Sequence, residues 1–106
     1  PQSFASMDRL LRSVWSGFVD VLAAGDPDAS LEWLAGEATR AKYRGPLRLI
    51  EARLPELAAS LRTLYAVSIG GDTAHYLVTR PEEGRTFGYH VYFARDARGL
   101  WKVVQF

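Results

Sequence analysis

The sequence predicts an α+β domain: an N-terminal helical layer packed on a curved four-stranded antiparallel β-meander. Three observations predict it. Apolar side chains recur at helical spacing through the first sixty residues, and they alternate at strand spacing through the last forty-odd. Three turn sequences, Gly71-Asp72, Pro81-Glu82-Glu83-Gly84 and Asp96-Ala97-Arg98-Gly99, then cut the second part into four segments. These are Leu64–Gly70, Thr73–Arg80, Arg85–Arg95 and Leu100–Phe106. At 106 residues the chain makes one domain, with the helical layer over 4–60 and the sheet over 64–106.

Leu11, Val14, Phe18, Val21 and Leu22 form an apolar stripe with Trp15 beside it, and Asp8, Arg12, Ser16 and Asp20 fall on the opposite face. This predicts an amphipathic helix from about Phe4 to Ala24, with Gly25 as its cap. Asp26-Pro27 restarts the helix, Asp as N-cap and Pro in the first turn. The short second helix carries Leu31, Leu34 and Ala35 on one face, with Trp33 to the side, and Gly36 can end it. A third helix is expected from near Glu37 to about Arg44. There Gly45-Pro46 breaks or kinks the path, and Pro46 can start another turn through Leu54. Pro55 opens a last short helical stretch.

The turns set a register. A two-residue loop at Gly71-Asp72, with Gly supplying positive φ, pairs Ile69 with Ala74, Val67 with Tyr76 and Tyr65 with Val78. If Arg80 opposes Arg85 across the second loop, Val78 faces Phe87, Tyr76 faces Tyr89 and Ala74 faces Val91. The third turn fits a type I turn closed by a Gly bulge. Together they predict one inner face of Tyr65, Val67, Ile69, Tyr76, Val78, Phe87, Tyr89, Val91, Phe93, Trp101 and Val103. An aromatic surface of that size calls for a helical cover.

Composition excludes more than it suggests. Thirteen Lys and Arg against twelve Asp and Glu give a formal charge of +1, which offers no case for nucleic acid or a membrane surface. With no cysteine there is no disulfide, thiolate catalysis or cysteine-ligated zinc, and the compartment stays open. No apolar run approaches a membrane span. A start at Pro1, without Met or signal peptide, suggests a trimmed domain or a processed product, with a larger parent or a removed leader. No phosphate loop stands out, because Gly70-Gly71 sits in a hairpin without a following helix, and no Ser, His and Asp are grouped as a triad.

The candidate residues divide between the two sheet faces. Inside, Tyr65, Tyr76, Tyr89 and Trp101 would line a pocket for a small apolar ligand. Catalysis by a buried tyrosine needs a carboxylate within reach, and the predicted inner face holds none, since Asp20 and Glu51 lie on helices. The expectation is therefore rings packed in a core. Outside, the register sets His75 directly opposite His90. A pair falls short of a usual zinc set, so no metal and no cofactor is expected. Leu64, Leu77, Tyr92, Val104 and Phe106 make that face more apolar than a solvated face should be. With His75 and His90, the residues Leu77, Tyr92, Val104 and Phe106 mark an interface for a second copy or a neighbouring domain. Arg40, Arg44 and Arg48, with Lys42 and Arg53 nearby, read as a Glu-balanced, solvated helix face.

Two stretches carry a resemblance. Val14-Trp15-Ser16-Gly17-Phe18 leading to Leu22-Ala23-Ala24-Gly25-Asp26 is one; Val91-Tyr92-Phe93-Ala94-Arg95-Asp96 followed by Gly99-Leu100-Trp101-Lys102-Val103 is the other. Their order along nearly the whole chain resembles the NTF2-like (cystatin-like, cone-shaped α+β) superfamily. The resemblance implies a small non-catalytic domain for protein association or small-ligand binding, in a bacterial extracytoplasmic or larger protein. Its alternative is a ketosteroid-isomerase-like isomerase or dehydratase using Tyr76 or Tyr89 in the cone. Four strands, fewer than the larger enzymes have, imply a small or filled pocket.

Overall fold

The computed structural model describes residues 3–106; Pro1 and Gln2, and the expectation drawn from the start of the chain, lie outside the described residues. Helices α1 (Phe4–Ala23), α2 (Pro27–Leu31), α3 (Gly36–Leu49) and α4 (Leu54–Ala59) precede strands β1 (Leu64–Ile69), β2 (Thr73–Glu82), β3 (Arg85–Arg95) and β4 (Trp101–Gln105). The strands form one antiparallel sheet in the order β1-β2-β3-β4, as the sequence predicts.

The helix caps follow the sequence. The Ser3 hydroxyl accepts from the Ser6 amide at 3.2 Å and starts α1, and Gly25 ends it at φ 77°. The Asp26 carboxylate accepts from the Ala29 amide at 3.0 Å and starts α2. The face of α1 differs from the expectation. Leu11, Trp15, Phe18, Val19 and Leu22 are buried, while Val14 and Val21 are only half-buried. The stripe is thus rotated toward Trp15, whose indole N–H donates to the Leu61 carbonyl at 2.8 Å. A second correction concerns α3, which runs unbroken through Gly45-Pro46. Pro46 removes one amide from an exposed face, where the freed carbonyl is open to solvation rather than buried without a partner.

Two bulges revise the sheet. Ile69 pairs with Ala74 as predicted, although neither Gly70 nor Gly71 uses positive φ. Val67 is then an extra residue, so Ala66 pairs with Tyr76, Tyr65 with Leu77 and Leu64 with Val78. This flips the first half of β1, burying Leu64 and turning Tyr65 outward. A second irregularity at Val104 sets Phe93 opposite Val103 but Tyr92 opposite Gln105, which returns Phe106 to the inner side.

The β2–β3 hairpin is longer than predicted. Glu82 pairs with Arg85, and Glu83 (φ 49°) and Gly84 (φ 79°) make a two-residue turn. Every pairing shifts by two: Val78 faces Tyr89, Tyr76 faces Val91 and Ala74 faces Phe93. The facing of each side chain survives because the shift is even. Pro81 is accommodated inside β2 because β1 stops short of it. The Thr79 amide donates to the Thr63 carbonyl at 3.3 Å, and two residues on there is no further strand on that side to need an N–H.

The helical layer covers one end of the inner face. Trp15, Phe18, Phe93 and Phe106 pack at ring separations of 5.1–6.3 Å, edge-on except for the tilted Trp15–Phe18 pair. The segment after α2 closes the β4 edge: the Val103 amide donates to the Trp33 carbonyl at 2.9 Å, and the Ala35 amide to the Val103 carbonyl at 2.8 Å. No described helix is long and apolar enough to cross a membrane.

Candidate functional site

The four candidate pocket residues do not converge on one cavity. Tyr65 lies on the outer face and is 56% exposed. Trp101 is buried beneath the Arg95 guanidinium, 4.9 Å from its ring, and its indole N–H finds no partner among the described residues. Tyr89 keeps the predicted facing but is 40% exposed, because the helices do not reach that end of the sheet. Its hydroxyl donates to Glu82 at 3.0 Å, and that carboxylate raises the phenol above its ordinary value.

Tyr76 alone is central and fully buried, and it has a partner that sequence reasoning missed. Its hydroxyl donates to the Asp8 carboxylate at 2.5 Å. Arg12 grips the same carboxylate at 3.0 Å and 3.1 Å, donates to the Leu64 carbonyl at 3.0 Å, and lies over the Tyr76 ring at 5.6 Å. Burial disfavours the charged form of Asp8. The hydrogen bonds from Tyr76 and Arg12 and the Arg12 charge outweigh that, so its pKa is lowered. Burial first, then the Asp8 contact, pushes the Tyr76 phenol well above its ordinary value. The signal for Asp8 is present in the sequence. With the stripe centred on Leu11, Trp15, Phe18 and Leu22, Asp8 is its next position toward the N-terminus.

This unit has the chemical parts of a phenol–carboxylate site, but the Tyr76 side of it is enclosed, while Asp8 and Arg12 reach the surface. Phe93 stacks edge-on against Tyr76 at 5.5 Å, and Arg12 caps the outer side. What it does in this geometry is tie α1 to β1 and β2. Asp20, the acid weighed at sequence level, stays at the surface and pairs with Arg62 at 2.8 Å.

Beyond the helical cover a cleft of about 300 Å³ opens between the Glu51–Arg53 turn with α4 and the tip of β2. Ile50 and Leu57 give it apolar walls, and Arg53, Glu56 and Arg80 a rim of mixed charge. The Arg80 guanidinium lies over the Tyr89 ring at 5.6 Å and meets Glu82 at 3.7 Å. The stripe of α3 is balanced by acids: Arg40 and Arg44 both hold Glu37, at 3.2 Å and 3.1 Å, and Arg48 holds Asp28 at 2.8 Å.

The outer face assembles most of the remaining candidates. His75 and His90 are not directly opposed: His75 faces Tyr92 and His90 faces Leu77. They are diagonal neighbours and still touch, with His75 Nε2 2.7 Å from His90 Nδ1. Tyr92 stacks on His75 at 4.6 Å and 13°. Of the other predicted interface residues, Leu77 lies on this face, half-buried, and Val104 sits half-buried in the β4 irregularity. Phe106 leaves the set: it packs inward, stacked on Tyr43 at 4.7 Å, and its amide donates to the Tyr43 hydroxyl at 3.1 Å. Among the described residues, no group of three or more His, Cys, Asp or Glu is placed to hold a metal ion.

No protein-family model matches this chain, and no curated protein and no solved structure matches it.

Proposed function

We propose that this chain is a non-catalytic, NTF2-like association domain that pairs with a second copy of itself through the outer face of its sheet. The observation that carries the proposal is the composition of that face. Its strand positions include Tyr65, Ser68, His75, Leu77, Thr79, Thr86, Gly88, His90 and Tyr92, with Lys102 toward its β4 edge and no acidic residue among them. Depletion of charge around exposed aromatic side chains is the compositional mark of an interface core. A near-neutral face also places no like-charge repulsion between identical copies, which a strongly charged face would. The full burial of Tyr76 supports the non-catalytic half of the reading.

Sedimentation or light scattering over a concentration series tests it. A dimer is expected at high concentration, and Leu77→Glu, which sets like charges against each other across a two-fold axis, should shift the chain to monomer. A wild-type chain that stays monomeric at millimolar concentration overturns the proposal.

A second reading, an isomerase or dehydratase of the ketosteroid-isomerase-like type, has one observation in its favour: the Tyr76 phenol and the Asp8 carboxylate are in contact. It would need substrate beside that hydroxyl, and Tyr76 is 0% exposed. We therefore prefer the association reading.

A further inference from the structure

The histidine pair lies on the face proposed above for self-association, and in the unpaired chain it supports a separate inference that needs only two nitrogens of one copy. We propose that His75 and His90 chelate a late first-row divalent metal ion, of the Zn²⁺, Ni²⁺ or Cu²⁺ class, with solvent completing the coordination sphere. His75 Nε2 and His90 Nδ1 lie 2.7 Å apart, so one carries a proton and the other presents its lone pair to it. Both nitrogens therefore already point into the same small volume. Imidazole nitrogens sit about 2.0–2.1 Å from such an ion, which places two of them on one metal about 3 Å apart. Replacing the shared proton with a metal asks the nitrogens to separate by roughly 0.2–0.7 Å and each ring to swing so that its lone pair turns off the N–N line toward the ion.

The scaffold holds the rings near this arrangement before any ion arrives. The histidines stand on adjacent paired strands, one register step apart on the diagonal. Tyr92 stacks on His75 and lies 6.0 Å from the His90 ring at 18°, which restricts both side chains. Preorganisation of this kind reduces the entropy lost on binding. The paired neighbours Ser68, Leu77 and Tyr92 are neutral, so none of the directly opposed side chains repels the ion or offers a carboxylate to a hard one. An all-imidazole donor set favours Cu²⁺, Ni²⁺ and Zn²⁺ over Mg²⁺ or Ca²⁺. His90 is exposed and His75 half-buried, which leaves the outward coordination positions to water.

Calorimetric titration of the tag-free chain with Zn²⁺ and Ni²⁺, with Mg²⁺ as control, tests the site. One Zn²⁺ or Ni²⁺ per chain is expected and no Mg²⁺. His75→Ala and His90→Ala should each weaken binding at least about tenfold, because losing one donor removes the effective-concentration advantage of the pair. In nuclear magnetic resonance spectra of the wild type, Ni²⁺ should broaden signals around positions 75, 90 and 92 and spare the buried Trp15 indole. This readout needs no variant to fold. Absence of binding, binding retained in both alanine variants, equal binding of Mg²⁺, or broadening centred elsewhere each overturns the proposal.

Discussion

The two faces of this sheet draw on the same residue types and use them differently. Tyr76 and Tyr65 stand on adjacent strands. Tyr76 is enclosed under α1 with its hydroxyl on Asp8, and Tyr65 stands more than half in solvent. Tyr89 shares the facing of Tyr76 and is nonetheless exposed, because no helix lies over it. Aromatic content and strand alternation therefore do not separate core from surface here. The reach of the helical layer does. Inside that reach the Trp15, Phe18, Phe93 and Phe106 rings form one cluster, and outside it Tyr92 stacks on the His75 and His90 rings at the surface.

The sharpest test of this contrast truncates one aromatic on each side. Phe18 is fully buried and touches the Trp15 and Phe106 rings, so Phe18→Ala should cost about 3–5 kcal/mol. Tyr65→Ala, which removes a larger side chain from the outer face, should stay within about 0.5 kcal/mol for the monomer. Urea unfolding at a concentration too low for self-association measures both. Similar losses at the two positions would show that the outer face is covered within one copy.

Most of the fold was legible because it is written in local signals. The Asp26 cap, Gly25 and the Asp96–Gly99 turn each act within a few residues, and all appear as read. The Asp96 carboxylate accepts from the Arg98 and Leu100 amides, both at 2.9 Å, which explains why that turn was unambiguous. The misread positions depend on tertiary context. Neither Val67 nor Val104 differs in type from an ordinary strand residue, so nothing local announces a bulge there. Each bulge reverses the side chains beyond it, which moved Tyr65 out and Phe106 in. The length of the β2–β3 hairpin was obscured by Pro81, a breaker in an interior strand and harmless on an unpaired edge. The candidate site suffered most from these slips. The histidine contact survived because a two-residue shift converts a direct pair into a diagonal one.

Two glycines sharpen the comparison at smaller magnitude. A Cβ on Gly17 would stand 2.3 Å from Trp33 Cη2, and Trp33 is anchored through its carbonyl to β4. Gly17→Ala should therefore cost about 1–3 kcal/mol despite the better helix propensity of Ala. Trp33→Leu in the same chain should restore part of the loss. On the outer face a Cβ on Gly88 meets only Leu77 Cδ2 at 3.9 Å. Gly88→Ala should gain about 0.5 kcal/mol by lowering the entropy of the unfolded chain. Thermal melts of the three variants give both signs, and a stabilising Gly17→Ala would mean that Trp33 is free to move.

The smallest effect probes the polar tie between helix and sheet. Asp8 is lowered from the ordinary carboxyl value of 3.8, so the fold prefers its ionised form. The resulting stabilisation is complete above that unfolded-chain value, and it is lost as pH falls through the lower folded value. Tyr76→Phe removes one hydrogen bond to the carboxylate and should cost about 1 kcal/mol near neutrality. It should also flatten the melting temperature against pH in the acid range, since the folded value of Asp8 moves back toward the unfolded one. Asp8→Asn should flatten the same range more, because Arg12 then has no charge to hold. On the outer face Tyr92→Phe should leave the acid limb unchanged, as its ring stacks on His75 without touching a carboxylate. An acid limb that Asp8→Asn leaves as steep as in the wild type would assign the acid sensitivity to the surface pairs of α3 instead, where Glu37 is likewise lowered by Arg44 and Arg40.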